Sequence, residues 1–152
     1  KILKELKTPF VIHQPSYSMF NRWIEEDGLR DYANEIGIGI IAYSPLAQGL
    51  LTDKYLSGIP KDSRIGRGAS SLTEKALTPD KLDKIRALNE IAKKRGQTLA
   101  QLALVWVLRE GKVTSVLIGA SRSEQIVENV KALDNPDLSP EEIDAIEDIL
   151  NK

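Results

Sequence analysis

The sequence contains no cysteine and one histidine, His13. Disulfides, thiolate catalysis and cysteine-held zinc or iron–sulfur centres are therefore excluded, and a single imidazole cannot form a polyhistidine metal site. Aromatic residues make up only 5% of the chain. No apolar run approaches the roughly 18 residues that a membrane-crossing helix requires. Charge of one sign is also lacking: 21 Lys and Arg face 22 Asp and Glu, a formal net charge of -1. Such a chain has no broad field to attract nucleic acid or an anionic membrane. Its first residues, KILKELKTPF, alternate charged and apolar groups and do not form a signal-peptide core. With 41% hydrophobic and 28% charged residues, the composition is that of a soluble globular protein. Together these absences point to a cytoplasmic chain with neither nucleic acid nor membrane insertion among its expected partners. The 152 residues suffice for one modest domain.

Strand and helix signals alternate along that length. KILKELK reads as the end of a helix stopped by Thr8-Pro9, and Phe10, Val11 and Ile12 as a strand ending at His13-Gln14-Pro15. Residues 22–36 carry Trp23, Ile24, Leu29, Tyr32, Ala33 and Ile36 at helical spacing up to Gly37. Ile38 to Ala42 is continuously apolar, as in a parallel strand covered on both faces. Residues 57–78 are poor in large apolar groups and form a long loop expected to be mobile. Thr78-Pro79 opens one helix, Thr98 and Gln101 have capping-box spacing for a second, deeply buried one, and Ser139-Pro140-Glu141-Glu142 opens another. Val113 to Ile118 is the third strand, followed by a helix over residues 124–132. Right-handed βα crossovers would make the three strands parallel. An open three-stranded sheet satisfies this order, as does a portion of a larger sheet or barrel; two nearly uninterrupted apolar strands and the Trp106 helix suggest more partners than three strands provide.

In such folds ligands meet the loops beyond the carboxyl ends of the strands. Those loops carry Gln14, then Tyr43-Ser44-Pro45-Leu46, then Gly119-Ala120-Ser121-Arg122. Tyr43 can offer a flat ring to a planar ligand and Gln14 an amide to its edge. Gly119, Ser121 and Arg122 have the chemistry of a phosphate pocket at the start of a helix. Gln125, Glu128 and Asn129, at three- and four-residue spacing, can turn toward a base or ribose. Alternation sends His13 and Gln14 to opposite faces, which leaves His13 a packing residue. The acidic pairs Glu25-Glu26 and Glu141-Glu142 read as solvated helix surface. No Ser-His-acid arrangement is present, and neither a catalytic nor a metal-binding residue is assigned.

The stretches VIHQPSYSMFNR, IIAYSPLAQGLLTDKY and VLIGASRSEQIVENVKAL resemble the aldo-keto reductase family. The resemblance is to the branch of bacterial glyceraldehyde-phosphate reductases and potassium-channel beta subunits. It runs through nearly the whole of residues 1–152 and implies an α/β fold, the C-terminal part of a (β/α)8 TIM barrel. Strands six to eight with their helices would be present, in a sheet not closed by itself. It implies NADP as cofactor, with Gln14 on the carboxamide, Tyr43 stacked on nicotinamide, and Ser44, Leu46, Gly49 and Leu51 around the pyrophosphate. Ser121 and Arg122 would meet the 2'-phosphate beside Gly119, and Gln125, Glu128 and Asn129 the adenosine end. Other branches carry a basic residue where Gly119 stands and arginine where Gln125 stands. The family's catalytic tyrosine, lysine, aspartate and histidine, and its nicotinamide-orienting Ser-Asn pair, lie on earlier strands and have no counterpart here. The resemblance thus implies an NADPH-dependent carbonyl reductase whose small-molecule aldehyde or ketone would require the missing half. A companion barrel fragment or self-association would cover the open sheet. The alternatives are a noncatalytic NADP-binding or protein-interaction module, or an inactive structural fragment.

Overall fold

A computed structural model of the protein describes residues 2–61, 63, 65–68 and 72–152, the side chains of Leu3 and Lys4 excepted. Its elements are α1 (Ile2–Glu5), β1 (Ile12–His13), α2 (Trp23–Glu26), α3 (Leu29–Glu35), β2 (Gly39–Tyr43), α4 (Pro79–Lys94), α5 (Leu99–Leu108), β3 (Ser115–Leu117), α6 (Ser123–Val130) and α7 (Pro140–Leu150). The strands form one parallel sheet in the order β1-β2-β3, and the sheet does not close.

Side-chain caps set the starts of the long helices. Thr78 accepts the Lys81 amide at the entrance of α4, where Pro79 costs no intrahelical bond. Thr98 with Gln101, and Ser139 with Glu142, form reciprocal capping boxes at α5 and α7. The expected continuous helix over residues 22–36 is instead two. Gly28 adopts φ 74°, a left-handed conformation that breaks the hydrogen-bond ladder, and Asp27 accepts the Leu29 amide to restart it. The strands are also shorter than their apolar runs. Phe10 and Val11 precede β1 and are exposed, and β3 begins two residues after Val113. The expected mobility of residues 57–78 falls in part on 62, 64 and 69–71, outside the described residues. Within that loop Ser63, Ile65 and Leu72 are buried and a 3-10 turn spans Glu74–Ala76.

The core lies between one face of the sheet and the helices. Ile40 and Ala42 of β2 join Ile24, Leu102, Trp106 and Ile146 in it. Nearly all of α5 is buried, as its apolar circumference requires.

Trp106 also borders a polar cluster. Tyr17 lies with its ring centroid 5.5 Å from that of Trp106, and the Arg109 guanidinium sits 3.6 Å from the Trp106 ring centroid. The Tyr17 hydroxyl donates to Glu25, while Glu25 accepts from Arg22 at 2.7 Å, Arg30 at 2.8 Å and Arg109 at 2.6 Å. Arg22 reaches on to Glu147 of α7 at 2.5 Å. Glu25 is therefore not the solvated surface group expected beside Glu26: its side chain is only 12% exposed. Glu142, of the second acidic pair, is likewise engaged, with Arg95. Burial acts to raise the Glu25 pKa, but the Tyr17 hydrogen bond and the arginines outweigh it, so the carboxyl lies below its ordinary range. Burial, with the Glu25 hydrogen bond adding to it against the opposing pull of Arg109, pushes Tyr17 up to about 12.

Glu25→Gln should destabilise the chain by about 3 kcal/mol near neutral pH, because it leaves three arginines around an uncharged partner. The folded pKa of Glu25 is depressed, so its contribution is present above the ordinary carboxylate pKa and lost as pH falls through the folded value. Urea unfolding of both forms across the acid range should show the gap closing on acidification. A constant gap would place the cost elsewhere.

Candidate functional site

Because the three strands are parallel, their carboxyl ends share one rim. Register assigns the faces. His13 pairs with Ile40 and Ala42 with Val116 on the helix-covered side, whereas Ile41 pairs with Ser115 and Tyr43 with Leu117 on the other. Gln14, one position past His13, falls by alternation on the Tyr43 side and is exposed. Tyr43 is 44% and Leu117 45% exposed. An aromatic ring and a carboxamide thus share the uncovered face, while His13 belongs to the opposite one and its buried Nε2 has no hydrogen-bond partner among the described residues.

After Tyr43 the chain turns through a run of left-handed backbone. Ser44 (φ 55°), Ala47 (φ 47°), Gln48 (φ 59°) and Gly49 (φ 99°) all have positive φ. Three of these carry side chains, each costing about 1 kcal/mol in that region. The turn is held by bonds from the Ala47 amide to Ser44 O at 2.9 Å, the Gly49 amide to Leu46 O at 2.8 Å and the Thr52 hydroxyl to Gly49 O at 2.7 Å. Leu46 packs on the core and the Leu51 side chain is fully buried, so both can meet a ligand chiefly through main chain. Ala47 and Gln48 were not singled out from sequence. Neither glycine nor asparagine marks their positions, and the strain is legible only in the backbone.

Beyond β3, Gly119, Ser121 and Arg122 are exposed. Arg122 precedes α6 with extended backbone and no side-chain cap, so the first amides of α6 and the guanidinium lie at one corner. Gln125 turns back to accept the Ser121 amide at 2.8 Å and its hydroxyl at 3.2 Å, fixing the loop. Glu124 stands at the same corner, its carboxyl held below the ordinary range first by an amide and then by Ser123. Glu128 accepts from Gln101 of α5 at 2.9 Å, and Asn129 is buried, so these two are less free than Gln125 to turn toward a ligand. Among the described residues no cluster of His, Asp or Glu could hold a metal ion, and no helix is long and apolar enough to cross a membrane.

The molecule is an open, one-side-covered section of parallel βα units with a polar rim. The sequence matches the Aldo/keto reductase family over residues 1–151, and the chain belongs to that family. It is 53% identical over 150 residues to L-glyceraldehyde 3-phosphate reductase of Escherichia coli (strain K12), covering 97% of this chain and 43% of that protein. It is 44% identical over 144 residues to a probable voltage-gated potassium channel subunit beta of Arabidopsis thaliana, covering 92% of this chain and 44% of that protein. Among solved structures, the glycerol dehydrogenase of Gluconobacter oxydans superposes with a TM-score of 0.76 at 31% identity, covering 98% of this chain and 44% of the other. The chain spans less than half the length of the relatives it matches. The fold is the C-terminal part of a (β/α)8 barrel, with three parallel strands, as the resemblance implied.

The rim residues fit an extended dinucleotide in kind: a flat ring and an amide at one end, a strained polar turn between, and helix amides with arginine at the other. The α6 end depends on Gln101, which closes the α5 capping box and also bonds Glu128. Gln101→Ala should lower stability by about 2 kcal/mol. Amide exchange should rise selectively at the start of α5 and in α6, and a uniform rise would contradict this link.

Proposed function

We propose that this chain carries the dinucleotide-facing side of an NADP-dependent oxidoreductase that reduces an aldehyde or ketone. The observation that carries the reading is the placement of Gln14 and Tyr43 on one uncovered face, with Ser121 and Arg122 on the same rim beyond β3.

A bound NADPH would supply hydride to the carbonyl carbon of the substrate. This chain's part is positional. The Tyr43 ring offers a surface for a planar ring, and the Gln14 amide offers donors and an acceptor that fix its rotation. Main chain of the Ser44–Leu51 turn would contribute to holding the pyrophosphate. Ser121 and the Arg122 fork, beside Gly119, would hold the extra phosphate, and Gln125, Glu128 and Asn129 would border the adenosine end. The proton for the substrate oxygen is not attributed to Tyr43, whose ring serves as the stacking surface, or to any other residue of this rim. Its source is a group on βα units beyond these three strands, and so is most of the carbonyl pocket.

A companion barrel portion, covalent or separate, is the proposed partner, with self-association as its substitute. The proposed compartment is the cytoplasm. A noncatalytic NADP-binding or protein-interaction module is the second reading, favoured by the likeness to a probable potassium channel subunit beta. Carbonyl-dependent oxidation of NADPH by the completed protein decides between the two.

Calorimetric titration tests the assignments. Arg122→Ala should weaken NADPH about tenfold while changing NADH little, because one charge-assisted contact to the extra phosphate is lost. Equal losses would refute the phosphate assignment. Tyr43→Ala should weaken both nucleotides to a similar degree, since stacking does not distinguish them. Unchanged binding would place the ring elsewhere.

A further inference from the structure

The Arg–Glu25–Tyr17 cluster lies apart from the rim residues, yet its covalent and hydrogen-bonded connections lead directly to them. Tyr17 is fully buried. Its hydroxyl donates to Glu25 and accepts from Arg109 at 2.9 Å and Arg30 at 3.4 Å. Those partners come from α2, α3 and the C-terminal end of α5, and Arg22 extends the set to Glu147 of α7. Arg109 is further fixed by donating to the Trp106 carbonyl at 2.7 Å. The backbone of the same tyrosine continues the β1–β2 pairing: the Tyr17 amide donates to Tyr43 O at 3.2 Å, and the Tyr43 amide donates to Pro15 O at 2.9 Å. Ser16 bridges Tyr43 in parallel register.

β1 is only two residues long, so regular pairing with β2 ends at His13–Ile40, before the rim begins. Beyond it, the separation of the Gln14 segment from Tyr43 rests on these few bonds and on whatever holds residue 17. We infer that Tyr17, Glu25 and Arg109 are positioning residues: by anchoring the chain just past β1 to the helical layer, they set the spacing between Gln14 and Tyr43 on the uncovered face. The cluster does not touch the proposed nucleotide. It acts through the Tyr17–Tyr43 backbone bond, and its effect on binding rests on the dinucleotide reading above.

Tyr17→Phe keeps the ring against Trp106 and removes the hydroxyl alone. Arg109→Lys keeps the charge but cannot span both Tyr17 and Glu25, and serves as the second variant if the first is poorly folded. Glu142→Gln is the control, since it loses the Arg95 ion pair of α7 and leaves the β1–β2 rim untouched. Two readouts are taken on the full chain under conditions where circular dichroism shows each form folded: amide exchange at Tyr43 and neighbouring residues, and NADPH affinity by fluorescence titration. Tyr17→Phe should raise exchange at the Tyr43 amide about tenfold, by local opening of the pairing, while Glu142→Gln leaves it within about twofold. NADPH affinity should fall about fivefold in Tyr17→Phe and stay level in the control, as expected when the cost is lost preorganisation. Equal exchange at Tyr43 in the two variants, or a rise spread evenly over the chain, would overturn the inference. If the wild-type chain fails to bind NADPH while the exchange contrast holds, the nucleotide reading falls and the positioning role stands.

Discussion

The sheet is covered on one face only, and the rest of the structure follows from that constraint. On the helix side, Ile40 and Ala42 are buried in the core with Trp106 and Leu102. On the other side, Tyr43 and Leu117, directly opposite one another in register, remain exposed although both are large and apolar in their bodies. A free-standing sheet would gain by placing polar residues there. Residues able to stack on and hydrogen-bond a ligand occupy it instead, which makes the uncovered face a candidate binding surface.

The flanks repeat the pattern. Phe10, Val11 and Ile12 are exposed at the β1 edge, with Ile2 of α1 and the following Leu6 also exposed; Ile126, Val127, Val130 and the following Leu133 are exposed on and just after α6. Residues 126, 130 and 133 recur at helical spacing, the signature of a packing stripe rather than of scattered surface side chains. Against this openness, the buried Glu25 cluster and the paired capping boxes hold the covered half together. Rigid support under a strained and exposed rim is the arrangement by which a site keeps its geometry while its outer surface stays open.

Much of this was legible in the sequence wherever local chemistry dominates. Thr78-Pro79, Thr98 with Gln101 and Ser139-Pro140 marked their helix starts because a cap requires particular side chains at fixed offsets. The encirclement of α5 by apolar residues marked its depth, and the alternation of His13 and Gln14 separated their faces. Three features were not legible. The break at Gly28 hid inside a helical spacing that continued across it, because two consecutive short helices can keep similar periodicity. The left-handed turn at Ser44, Ala47 and Gln48 left no signal, since none of these residues favours positive φ and the tertiary structure imposes it. Glu25 read as a surface acid because Tyr17 and Arg30, although 8 and 5 residues away, lie outside its own helix, and Arg109 lies 84 residues away in sequence. Long-range pairing of that kind is invisible to spacing rules.

We propose that the uncovered sheet face and the exposed apolar groups at β1 and α6 pack against further βα units. Sedimentation velocity of the purified chain, run beside binding of a hydrophobic fluorescent dye, tests it most directly. Association or strong dye binding is expected of the chain alone, with suppression of both when the complementary five βα units of a family barrel are added. A dye-silent monomer with a single cooperative unfolding transition would contradict it.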